Sequence, residues 1–373
     1  MSIRPVLAAL LAAAVTLSAC AGGSSEEPEP APDRGDGVED DGTEQGDGDA
    51  ATDEDEDEED PHGAEEEGDE PTAAYPVTIE HRHGETTIEE RPERVVTVGL
   101  TDHDPVLALG VVPVGTNDWY GDHPGGVWPW AADLLDGEVP TVIGRSIELD
   151  LEAIAALEPD VILGLYAGLD EQIYETLSAI APTVAQPADF VDFGVPWQEQ
   201  TRIVGQVLGM PEEADALVAD AEAAVDQIRD QQPGFDGATA AVGTDFDGVY
   251  VYSPDTGIVR LITSLGFEVP EAIDELVGDA DGAALSLERV ELLDNDVMVW
   301  LDVEPGTGPV AEPVYTALDV HQQGREVFLS TSGELGGAGF ISVLSVPVLA
   351  EALAPALSAA VDGDPDTEVP PVR

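Results

Sequence analysis

LDLEAIAALEPDVIL, residues 149–163, decides the architecture. Leu151, Ile154 and Leu157 fall at helical spacing and make one apolar face. Pro159-Asp160 stops that helix, and Val161-Ile-Leu163 follows as a short apolar run, the pattern of a buried strand. A helix feeding directly into a buried strand is half of a βαβ unit, so the sheet it enters is expected to be mainly parallel.

The same alternation extends to both sides. Upstream, Val77 to His81 and Thr86 to Glu89 flank His83-Gly84 as a hairpin, and Val95 to Val98 is a buried strand. Residues 104–109 read as a short helix, 111–115 as a second strand, and 141–143 as a third. Downstream, 171–180 is helical and 183–185 is a strand. A first α/β lobe therefore occupies 75–196. From Trp197 the pattern changes: Ile203, Val207, Leu208, Ala214, Leu217, Val218, Ala221, Val225 and Ile228 recur at helical spacing with no strand between them. Residues 197–232 are expected to form one long rigid connecting helix, with a kink where Pro211 removes a donor. A second α/β lobe fills 233–373, with strands near 238–242, 249–252, 297–301 and 326–329. Its helices are expected near 258–265, 286–293, 309–317 and 343–360. The expected fold is α/β: two lobes, each with a mainly parallel sheet flanked by helices, and a ligand cleft between them.

The amino terminus is of a different kind. Arg4 is followed by the apolar stretch Val6 to Leu17, too short to span a bilayer comfortably, and by Leu17-Ser-Ala-Cys20. That tetrapeptide resembles a bacterial lipobox, so 1–19 reads as a lipoprotein signal peptide with Cys20 as the lipidation site. Two acyl chains make such attachment durable. Cys20 is the single cysteine, so no internal disulfide can form. Residues 20–74 carry 24 Asp/Glu against one Arg. Too little apolar surface is available there to offset chain entropy, and an acidic, disordered tether is expected. The chain contains no Lys, and its formal net charge is −67. Such a balance excludes nucleic acid as a partner, because phosphate recognition needs clustered basic residues. It also leaves the lipid as the only contact with a membrane.

Five segments carry a resemblance. They are RPERVVTVG (91–99), DPVLALGVVPVG (104–115), LEAIAALEPDVIL (151–163), LSAIAPT (177–183), and SLERV (286–290) with LDNDV (293–297). In this order they resemble the substrate-binding proteins of ABC importers for ferric siderophores, haem and cobalamin. Pro196-Trp197 and the Ser178-Ala-Ile-Ala-Pro-Thr183 run are similar to the ferric-siderophore branch. The resemblance spans about 76–362. It implies a periplasmic-binding-protein fold and a monomer lipid-anchored on the outer face of the cytoplasmic membrane. The implied role is iron transport: the protein captures a ferric siderophore and delivers it to the transmembrane subunits of an ABC-type permease. Haem or cobalamin remains the alternative ligand. No intrinsic cofactor is implied, since iron arrives only within the bound chelate. The resemblance also implies that Glu152 and Glu288, one per lobe, dock the permease; each would equally suit the first turn of a helix.

Ligands of open parallel sheets sit outside the carboxyl ends of the strands. The candidates there are Asp102 and His103 after the first strand, then Trp119, Tyr120, Trp128 and Trp130 in a Gly/Pro-rich loop. Arg145 and Tyr166 complete the first lobe's set. Ser253, Arg260, Trp300 and Tyr315 are the second lobe's. Aromatic faces suit siderophore rings and backbones, and Arg suits iron-bound oxygens. Trp128 and Trp130 could instead plug the end of a lobe, Trp300 could be core, and Arg145 and Arg260 could be held in salt bridges. No nucleophile elbow, phosphate loop, dinucleotide fingerprint or His-Glu-x-x-His is present, so no enzyme is expected. His103, His123 and His321 give too few ligands for a free-metal receptor.

Overall fold

The apolar runs become the centres of two sheets. A computed structural model describes residues 75–119, 121–278, 280–330, 333, 335 and 340–372. The expected signal peptide, Cys20 and the acidic tether lie outside the described residues, as does Tyr120.

A hairpin of β1 (Val77–His81) and β2 (Gly84–Ile88) precedes the first sheet. That sheet contains β3 (Val95–Thr97), β4 (Gly115–Asp118), β5 (Thr141–Arg145), β6 (Glu148–Leu149), β7 (Val161–Gly164) and β8 (Thr183–Ala185). Its order is β6-β5-β4-β3-β7-β8, parallel throughout except at the β6 edge. The strand order reverses about β3, with β4 on one side and β7 on the other. Helices α1 (His103–Ala108), α2 (Leu151–Ala156) and α3 (Glu171–Ser178) cross between strands. Both faces are buried. Val95, Val161, Leu163 and Val184 pack with Val106 and the hairpin's Ile79 and Ile88. On the opposite face Val96, Ile143 and Ile162 pack on Ile154 of α2 and Leu177 of α3.

The sequence placed the second strand at 111–115, but the ladder runs through Gly115–Asp118. Pro113 has no N–H to donate, so Val111 to Val114 serve as a lead-in, and only Val114 N bonds back to Val95 O, at 2.9 Å. The true strand is polar yet buried. Thr116 donates to Gly125 O, and Asn117 Nδ2 donates to Val98 O (3.2 Å) and Ser146 O (2.7 Å), so burial leaves these donors satisfied.

The expected single connecting helix is two: α4 (Trp197–Leu208) and α5 (Pro211–Gln231). Gly209 ends α4 in the left-handed conformation, φ 73°. A Cβ there would also press on the Tyr75 hydroxyl at 2.8 Å, so glycine is required twice over. Pro211 then opens α5 at a position where its missing N–H costs nothing. Helix α5 still performs the joining. Ala214 lies in the first lobe's core, while Val218, Ala221 and Val225 lie in the second's.

The second sheet comprises β9 (Ala240–Asp245), β10 (Val249–Tyr252), β11 (Gly282–Ala284), β12 (Val297–Leu301) and β13 (Glu326–Leu329), in the order β11-β10-β9-β12-β13. It is mixed, not mainly parallel: β9, β12 and β13 are parallel, and β10 and β11 run antiparallel. The cause is the Asp247-Gly248 turn, both residues with φ > 0, which sends the chain straight back beside β9. Helices α6 (Gly257–Ser264), α7 (Glu271–Val277), α8 (Asp319–Gln322) and α9 (Ser345–Val361) complete the lobe. The helices expected at 286–293 and 309–317 are 3₁₀ turns, Leu287–Leu293 and Gly308–Ala311. Among the described residues no helix is long and apolar enough to cross a membrane.

Candidate functional site

The strand-order reversal at β3 opens a crevice at the carboxyl ends of β3, β4 and β7. Gly99 to Asp102 emerge there from β3, Trp119 from β4, and Leu165-Tyr166 from β7.

Asp102 shapes this edge from beneath. Its carboxylate accepts from Leu165 N (2.9 Å), Tyr166 N (3.1 Å), Gln200 Nε2 (2.6 Å) and Gly99 N. A Cβ at residue 99 would collide with that carboxylate, so glycine permits the close approach. Asp102 is fully buried and faces backbone rather than the crevice, which corrects its expected place among ligand contacts.

Above it, Tyr166 is 7% exposed, and its hydroxyl makes no hydrogen bond within the described residues. Its ring stands edge-on to Phe193 (5.5 Å) and to Phe340 (6.4 Å). Phe340 belongs to the second lobe and also meets Trp119 edge-on, at 5.2 Å. Burial raises the Tyr166 hydroxyl well above the ordinary tyrosine value, only partly offset by the Arg260 guanidinium nearby. Arg260, on α6, donates to Gly194 O (2.8 Å) across the lobe boundary and pairs with Asp255 (3.2 Å). Aromatic rings from both lobes thus meet beside one guanidinium.

Trp128 and Trp130 are stacked, 5.3 Å apart and 5° from parallel, with His123 against Trp128. Trp130 Nε1 donates to Asp104 Oδ2 (2.9 Å), and Ser342 Oγ of the second lobe donates to the same oxygen. These two tryptophans, with His103, Asp104 and Trp119, bound a narrow recess below Phe340. Trp128 is 5% exposed and serves the lobe's packing, whereas Trp119 is half-buried at the crevice. Trp119→Ala is accordingly expected to weaken ligand binding about thirtyfold, the usual loss for an aromatic anchor. Trp128→Ala should instead lower stability by about 3 kcal/mol. Titration and urea unfolding of each variant separate the two effects; equal loss of affinity in both would contradict the division.

His103 is 1% exposed, and neither ring nitrogen has a hydrogen-bond partner among the described residues, although Asp104 Oδ1 lies 3.4 Å from Nε2. Burial lowers its pKa, and Asp104 opposes this only in part. With the folded value below the unfolded one near 6.5, the unfolded chain binds the proton first. The stability contributed by neutral His103 is therefore complete above about pH 6.5 and is lost as pH falls toward the folded value, at up to about 1.4 kcal/mol per unit. Unfolding curves at pH 7 and 5 should show a smaller acid loss in His103→Gln than in the parent; identical losses would contradict this.

The remaining expected contacts separate from the crevice. Trp300 and Tyr315 are fully buried in the second lobe's core, where Trp300 Nε1 donates to the Tyr315 hydroxyl (2.9 Å) and that hydroxyl to Glu326 (2.7 Å). A strand buried on both faces turns its aromatic residue into the lobe, which corrects both assignments. Ser253 is 1% exposed, and its Oγ accepts Asp255 N (3.1 Å) within its own turn. Arg145 is exposed at the end of β5 and pairs with Asp118 (3.0 Å) and Asp122. Glu152 and Glu288 are both exposed. Sequence reasoning missed Phe193 and Phe340. Phe340 directly follows the glycine-rich run Gly336-Gly337-Ala338-Gly339, where no apolar periodicity marks it. Among the described residues no group of three or more His, Cys, Asp or Glu could hold a metal ion.

Two α/β lobes are thus joined through α5, and aromatic rings at the first lobe's carboxyl edge meet Phe340 of the second. Residues 95–316 match the family model described as Periplasmic binding protein, and the chain belongs to that family. It is 29% identical over 204 residues to the probable siderophore-binding lipoprotein YfiY of Bacillus subtilis, a match covering 53% of this chain and 59% of that protein. It is 28% identical over 210 residues to the Fe(3+) dicitrate-binding periplasmic protein FecB of Escherichia coli, covering 54% and 64%. The chain thus matches about three-fifths of the length of these curated relatives. Among solved structures, Streptococcus pneumoniae PiaA in complex with ferrichrome superposes with a TM-score of 0.70 at 25% identity, over 77% of this chain and 99% of that one. A periplasmic solute-binding protein from Mycobacterium smegmatis gives 0.67 at 33% identity, with the same coverage.

Proposed function

We propose that this protein is the non-enzymatic capture component of an ABC importer, binding a ferric siderophore between its lobes and delivering it to the permease. The observation that carries the reading is the meeting of Trp119, Tyr166 and Phe340 from opposite lobes at the strand-order reversal, with Arg260 alongside. The rings supply flat apolar contact, and the guanidinium and the Tyr166 hydroxyl, to which no described residue bonds, supply donors for iron-bound oxygens. The similarity to proteins named for siderophores, ferric dicitrate and ferrichrome supports the same ligand class. Cleavage before Cys20 and lipid on its thiol would anchor the monomer to the outer face of the cytoplasmic membrane, with 20–74 as a spacer. Residues 75–196 and 233–373 would form the two lobes and 197–232 the connector.

Tryptophan-fluorescence titration of the unlipidated mature chain tests the ligand class. Ferric siderophores should quench at submicromolar concentration. Response to haem or cobalamin alone would overturn the reading in favour of another branch of the family. The spacer should be dispensable: a chain beginning at Tyr75, whose hydroxyl bonds Val207 O at 2.9 Å, is expected to bind within about twofold of the mature chain. A tenfold loss would make the acidic segment part of the binding unit.

A further inference from the structure

Charge at the crevice narrows the ligand class. Three of the described arginines lie on the elements that form this region, and each already faces a carboxylate. Arg260 pairs with Asp255, and Arg145 pairs with Asp118 and Asp122. Arg82 pairs with Asp192, in the loop that carries Phe193. Arg94 and Arg325 precede the amino ends of β3 and β13 and bond backbone carbonyls there. No lysine exists to supplement them. His103, beside the recess, is held neutral by burial. Asp245 and Asp302 stand at the carboxyl ends of β9 and β12 and add negative charge to the second lobe's edge.

Three hydroxamates, each a monoanion, cancel the charge of ferric iron. Three catecholates, each a dianion, leave a trianion, and citrate complexes are anionic as well. A trianion needs uncommitted cations, because charges left unpaired in a dehydrated cleft are penalised heavily. Among the described residues each of these three guanidiniums is already paired with a carboxylate, and the acidic chain repels anions before contact. A neutral chelate asks only for apolar walls and a few donors. Trp119, Tyr166, Phe193 and Phe340 supply the walls, and the Tyr166 hydroxyl and the unused N–H groups of Arg260 supply the donors.

We infer that this cleft takes an uncharged ferric chelate of the trihydroxamate class, in preference to anionic catecholate or citrate complexes. The inference rests on the reading of the protein as a siderophore receptor. The test titrates the unlipidated mature chain with ferrichrome, ferric enterobactin, ferric citrate, haem and cobalamin at about 50 and 500 mM NaCl, concentrations chosen to span strong and weak screening. Ferrichrome should bind at least about a hundredfold tighter than either anionic chelate. Its Kd should move less than about twofold with salt. Tighter binding of the triscatecholate or citrate complex overturns the charge inference and leaves the receptor reading standing. So does a loss of about tenfold or more in ferrichrome affinity at high salt. Binding of haem or cobalamin with no iron chelate bound overturns the receptor reading, and the inference with it.

Discussion

Asp102→Ala is expected to lower the unfolding free energy by about 3–5 kcal/mol, the range for breaking a buried charged group's partners. Burial pushes this carboxyl up to about 6, so it is ionised at neutral pH despite being sealed from water. Four donors compensate: Gly99 N from β3's exit, Leu165 N and Tyr166 N from β7's exit, and Gln200 Nε2 from α4. One side chain therefore ties three elements at the crevice floor, and its removal strands all four donors in a dry site. Urea unfolding measures the loss. Asp102→Asn should recover part of it, since the amide oxygen can still accept some of the bonds. A deficit below about 1 kcal/mol for Asp102→Ala would mean that water or a neighbour replaces the carboxylate easily.

The charge swap Glu152→Arg with Glu288→Arg is expected to abolish uptake in cells while leaving ligand affinity within about twofold. Both side chains are exposed, and neither touches the crevice. Neither residue is the N-cap, which others supply, so the helix gains from them only the modest first-turn charge effect. Asp150 accepts Ala153 N (3.0 Å) at the start of α2, and Ser286 accepts Glu288 N (3.3 Å) at the start of the 3₁₀ turn. The two segments are not identical, one being α-helical and the other 3₁₀, yet each presents a carboxylate at its first turn. Charge-assisted pairs from separate lobes would fix the protein's orientation on a two-fold permease. Normal uptake by the double variant would remove both residues from the docking surface.

The strands built of aliphatic runs, Val95–Thr97, Val161–Gly164 and Val297–Leu301, were legible because a strand buried on both faces has no polar alternative. Gly115–Asp118 was not, since Thr116, Asn117 and Asp118 are buried through hydrogen bonds and neighbours that only the fold assembles. The break at Gly209 was half legible. Pro211 pointed to it, but the left-handed turn that separates α4 from α5 depends on packing against Tyr75. Candidate residues at the crevice followed the same logic. Position after a strand located Trp119 and Tyr166, but it could not tell a residue facing the crevice from Asp102, whose carboxylate is consumed by backbone amides. Phe340 comes from a loop more than two hundred residues away in sequence from Trp119, and no local pattern links them. Trp300 looked like a candidate by the same positional rule, and the buried partner that claims it, Tyr315, lies fifteen residues on.

The central claim is that one ligand is gripped by both lobes, and calorimetric titration of Tyr166→Ala and Phe340→Ala against ferrichrome tests it most directly. Each variant is expected to bind about tenfold to a hundredfold more weakly than the parent while remaining folded, the buried Tyr166 ring costing about 3 kcal/mol of stability when removed. Loss of affinity in only one of the two, or in neither, would contradict a site between the lobes.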